Sequence, residues 1–178
     1  DIRFEGNGYS EQWHQEAEKR GLRGIEDVPA STSALLEEKT IALMEEMCVM
    51  NRRELEARYE VKNQMYVKKL QIEARVLGDL AINHFVPTAI RHENLLLENV
   101  KGLRDVFPAD EYEELASTQL KALRKTAGYV NEIRNLVHLL IEARKKANKV
   151  ESLHERAREY AAAVMPVMER IRDCADRM

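Results

Sequence analysis

The sequence predicts an all-α fold, an elongated antiparallel bundle of long, kinked helices preceded by two short N-terminal helices. Three observations carry this. The run from Asn51 to Val100 holds helix-forming residues and spaced apolar positions almost without a break. Two later runs, to about Lys149 and to Met178, repeat apolar positions at steps of three and four. Aromatic residues at 6% and only seven glycines disfavour an all-β chain, while 44% hydrophobic and 33% charged residues suit solvated helices.

Taken in order, Gly6-Asn7-Gly8 is turn chemistry, and Ser10 is placed to cap a short helix through Arg20 that Gly21 ends. Trp13 and Ala17 share one face of it, an anchor for docking on something larger. Residues Leu22 to Ser33 read as a connector, and a second short helix is expected from Ala34 to Met47. Asn51 and Glu54 then form a capping-box pair, so the long helix should begin at Arg52.

Along that helix Leu55, Tyr59, Tyr66, Leu70, Leu77, Leu80 and His84 make one stripe, and Val61, Met65, Ile72 and Val76 a second. Two stripes imply two partners. Pro87 has no amide to bond the carbonyl of Asn83, so a kink is expected between Asn83 and Pro87, with helical spacing resuming to Val100 and Gly102 ending the run. Phe107-Pro108 marks a turn, and Asp110, Glu111, Glu113 and Glu114 the acidic start of the next helix. The last helix should run from Glu151 to Met178, bent at Pro166. Residues 1–50 therefore form an N-terminal extension and residues 51–178 the long-helix bundle.

A net charge of −3 gives no basic footprint, so no nucleic-acid partner is expected. The cluster Arg144 to Lys149 sits where a helix C-terminus favours cations. No apolar run approaches bilayer length, and no charged n-region precedes an apolar segment, so no membrane partner and a cytoplasmic location are expected. Cys48 and Cys174 make no disulfide framework and read as buried, reduced thiols. Opening on Asp1 and closing at Met178 without cap or breaker suggests a piece of something longer.

Two Glu-x-x-His units, Glu11 with His14 and Glu151 with His154, have the spacing of a di-iron bundle site. Such a site also needs inward glutamates from two further helices, and chance pairs are expected in helices this rich in glutamate. His84 and His92 straddle Pro87 and, like His138 between Val137 and Leu139, read as core or boundary residues. No serine or cysteine has a general base at hand, and no glycine-rich loop follows a strand. No catalytic, cofactor-binding or metal-ligating residue is assigned.

The segments ELEARYEV (54–61), QIEARVLGDLAINHFVPTAIRHENLLLENVKGL (71–103) and FEGNGYSEQWHQEAEKRGL (4–22) closely resemble the C-terminal region of type III glutamine synthetases, the large bacterial form. The resemblance covers essentially the whole chain. It implies that the ATP, metal and glutamate ligands lie upstream, in a parent that joins glutamate and ammonia using ATP and magnesium or manganese. It also implies a dodecamer of two stacked hexameric rings, with the region's own catalytic domain and other subunits as partners. On this reading the region is non-catalytic and serves assembly or packing; the alternative is a free-standing helical adaptor that binds a partner helix.

Overall fold

The computed structural model describes residues 4–25 and 27–178, and every described element is helical. The chain divides into two compact units, Asp1–Lys62 and Asn63–Met178.

In the first unit, α1 (Glu11–Lys19) begins where Ser10 Oγ accepts the Trp13 amide at 3.3 Å. It ends with Gly21 at φ 68°, the Leu22 amide bonding back to the Ala17 carbonyl. That 6→1 bond with a left-handed glycine is the closure expected of Gly21. Ala17 is buried, and Trp13 packs on Phe4 with ring centroids 4.9 Å apart.

The connector expected from Leu22 to Ser33 instead contains a helix, α2 (Val28–Ser33). Asp27 caps it, accepting the Ala30 amide at 2.6 Å, and Pro29 sits in its first turn, where a missing amide costs nothing. A single 3₁₀ turn (Ala34–Leu36) follows, then Glu37 in extended conformation, then α3 (Glu38–Glu46). The second helix expected at Ala34–Met47 is thus divided at Glu37, whose carboxylate accepts from both terminal guanidinium nitrogens of Arg23. After α3 the chain turns through Cys48 at φ 54°.

Helix α4 (Arg52–Leu80) starts at the expected capping box: the Asn51 amide donates to Glu54 Oε2 at 2.9 Å, and the Glu54 amide to Asn51 Oδ1 at 3.0 Å. The division between the units falls inside this helix. Leu55 is buried near its start, and in the second unit its buried positions Asn63, Val67, Leu70 and Ala74 follow one face that Ala81 continues beyond its end, with Leu77 packed at the edge. Leu80 and His84, expected on the inward stripe, are exposed.

At Pro87 the helix does not break. One π turn (Ala81–Phe85) leads into α5 (Val86–Val106), and the Val86 amide bonds the Ala81 carbonyl five residues back. The wider turn accommodates a residue with no amide and a bulky ring, and it inserts one extra position into the helix. Inward burial accordingly passes from Ala81 to Val86, a step of five.

A two-residue turn at Phe107-Pro108 reverses the chain into α6 (Ala109–Asn148), 40 residues or roughly 60 Å. Gln119 donates to Asn99 and Gln71 to Asn148, so α6 runs antiparallel to the α4–α5 segment. The last segment returns as α7 (Leu153–Glu159), a second π turn (Tyr160–Val164) and α8 (Met165–Arg177). It starts at Leu153, with Ser152 as its cap, not at Glu151. Pro166 repeats the geometry of Pro87: the preceding residue, Met165, bonds Tyr160 five back. Arg170 of α8 reaches Glu132 of α6, and Lys146 of α6 reaches Glu159 of α7, a second antiparallel pairing.

The core of this unit joins Val67, Leu70, Ala74 and Ala81 to Val130, Ile133, Val137 and Leu140 of α6 and to Ala157, Tyr160, Val164 and Ile171. Gly78 lies within α4, where an added Cβ would stand 3.8 Å from Val137 Cγ1, ordinary contact. Gly78→Ala is therefore expected to stabilise the fold by about 0.5–1 kcal/mol by removing unfolded-state freedom. A urea midpoint at or below that of the parent would contradict this packing.

Candidate functional site

The two Glu-x-x-His units singled out by sequence do not converge. Glu11 and His14 lie exposed on α1, while Glu151 precedes α7 and His154 is half-buried on it. Among the described residues no group of three or more His, Cys, Asp or Glu side chains could hold a metal ion. Cys174 is buried, and burial pushes its thiol above the ordinary value, with Glu132 adding to the shift. Cys48 is exposed, contrary to expectation, because it occupies the turn after α3 instead of a helix face. Lys145 and Lys146 at the end of α6 pair with Glu142 at 2.8 Å and Glu159 at 2.9 Å, as a solvated helix end should.

His84, His92 and His138 are exposed, not core residues. The extra residue of the first π turn alters the phase between His84 and His92 and leaves both on an outer face. With Thr88 they border a groove of about 520 Å³ floored by Phe85 and Ala89, and Asp176 of α8 stands across it.

Asn148, read from sequence only as a break, ties three segments together. Its Oδ1 accepts from Gln71 Nε2 of α4 at 3.0 Å and from the Tyr160 hydroxyl at 2.8 Å. Arg156 fastens the adjoining turn by donating to the carbonyls of Val150 and Glu151. Asn148 itself is exposed, and of these groups only the Tyr160 side chain is buried, so the bonds fasten the turn between α6 and α7 near the surface.

What stays open is a face. Met65, Ile72 and Val76 are 53%, 63% and 51% exposed, whereas Val67, Leu70 and Ala74 of the same helix are buried. At 3.6 residues per turn the two sets point about half a turn apart. The second stripe expected of this helix therefore exists, and nothing in the second unit covers it. Lys68, Lys69 and Arg75 border it against Glu73, all exposed. Large apolar side chains in contiguous exposure mark interaction surfaces.

The three segments of family resemblance lie between Phe4 and Leu103, and known proteins match the same stretch. Residues 1–104 match the family described as glutamine synthetase C-terminal domain. Over 177 residues the chain is 42% identical to a glutamine synthetase of Bacteroides fragilis (strain YCH46), covering 99% of this chain and 24% of that protein. A type-3 glutamine synthetase of Dictyostelium discoideum is 27% identical over 177 residues, and a glutamine synthetase of Butyrivibrio fibrisolvens 26% over 175. These matches cover 99% and 98% of this chain, so α6 to α8 are shared as well. The chain spans about a quarter of the length of the curated relatives it matches, 24% in each case. The chain, helical in every described element and matched over nearly its whole length by these larger proteins, belongs to the glutamine synthetase C-terminal domain family.

Proposed function

We propose that this chain is the non-catalytic C-terminal helical region of a type III glutamine synthetase and that it serves subunit assembly or packing on the catalytic part. The observation that carries the reading is the apolar face of α4, turned away from the bundle core. The parent would ligate glutamate and ammonia with ATP and magnesium or manganese, and those ligands would be held outside this region. Such chemistry needs several convergent carboxylates for the metals and cations or amides around the phosphates. Here Glu and Asp are spread along helix faces and interleave with Lys and Arg.

Two measurements test this. The purified chain is expected to release no phosphate from ATP in the presence of glutamate, ammonia and manganese, while the full-length protein does. Deleting the region from the full-length protein is expected to leave a smaller species in sedimentation. Glutamine formed by the chain alone would overturn the non-catalytic role, and an unchanged subunit number after deletion would overturn the assembly role.

A further inference from the structure

The exposed face of α4 has a counterpart on α5. Met65, Lys68, Arg75 and Val76 recur thirty positions on as Leu95, Glu98, Asp105 and Val106, with the same spacing of two apolar residues around two charges and with the charges inverted. All eight side chains are exposed, Leu95 at 65% and Val106 at 74%. Between Leu95 and Val106 the same side of α5 carries Asn99 and Gly102, both exposed, which leaves room for the bulk of Ile72.

We infer that a second copy of this chain covers the α4 face, its own α5 stripe lying antiparallel on it. Antiparallel packing sets Met65 against Val106 and Val76 against Leu95. It brings like-placed flanks together, so Lys68 meets Asp105 and Arg75 meets Glu98. Within one chain, among the described residues, Asp105 has a loose ion pair with Arg104 at 3.7 Å, largely in solvent. Because the apolar pairs and the charged pairs are all centred within one residue of Val86, the contact is isologous: each copy offers its α4 stripe and its α5 stripe at once, about a two-fold axis at the π turn beside Val86. An antiparallel pairing of α4 with α4 would set Lys68 near Arg75, cation on cation. The extra residue of the π turn is also what brings the α5 stripe round to the side of α4 that faces outward, as the step in burial from Ala81 to Val86 records. This inference rests on the assembly role proposed above and specifies its surface.

The test uses the full-length protein in two charge-reversed forms, K68E/R75E and E98K/D105K. All four positions are exposed, so thermal midpoints should match the parent. Each form alone sets like charges together four times per contact and should weaken this contact at least ~10-fold, giving a smaller sedimenting species. Mixing the two forms restores opposite charges at every position and should recover the parental species, with both tags in one complex. Parental sedimentation of either form alone overturns the pairing. Two weakened forms that fail to recover on mixing also overturn it while leaving an assembly role in place; only the deletion described above removes that role.

Discussion

Replacing Tyr160 by alanine is expected to lower the unfolding free energy by about 3–5 kcal/mol, the range for emptying a closed aromatic site. Its ring is fully buried, seated in the core with Val164, Ala157 and Leu140. Tyr160→Phe is expected to cost only about 0.5–1.5 kcal/mol, because it removes one hydrogen bond and leaves Asn148 Oδ1 still accepting from Gln71. The two variants separate packing from hydrogen bonding in one denaturant series. Burial also raises the Tyr160 hydroxyl above its ordinary pKa, so the native state favours the neutral phenol. The associated stability is present below the ordinary tyrosine range and is lost as pH rises from there towards the raised value. Tyr160→Phe should remove that part of the alkaline slope. A phenylalanine variant as unstable as the alanine variant would contradict the assignment of the stability to the ring.

The capping residues were the most legible part of the sequence, because Ser10, Gly21, Asn51 and Glu54 act on backbone groups within a few positions of themselves. The inward face of α4 was legible only approximately. Its centre is held by Asn63, Ala74 and Ala81, which are polar or small and add little to an apolar pattern, so the phase drifted towards the larger Leu80 and His84. Both prolines announced an irregularity, but not that the helix would absorb it in a π turn. That choice depends on neighbouring segments holding the helix in place on both sides of the proline. The outward stripe of Met65, Ile72 and Val76 could be read from periodicity alone. Its match to Leu95 and Val106 could not, since an uninterrupted α-helix would put the two stripes on different sides.

The α6 segment offers the sharpest contrast between two apolar residues a short distance apart. Ile133 is fully buried at the centre of the face it shares with Val130, Val137 and Leu140, and that face meets both neighbouring segments. Ile133→Ala is expected to cost about 2–5 kcal/mol, since a residue held from two sides leaves a cavity that cannot easily collapse. Leu139 lies on the other side of the same helix and is 53% exposed. Its truncation removes little from contact and should stay within about 0.5 kcal/mol of the parent. In urea the Ile133 variant should shift the midpoint with an unchanged slope, which assigns the loss to stability and not to a change in the surface exposed on unfolding. Because neither residue belongs to the paired stripes of α4 and α5, Leu139→Ala should also leave the sedimenting species unchanged. Equal midpoints for the two variants would mean that α6 turns a different face to its neighbours.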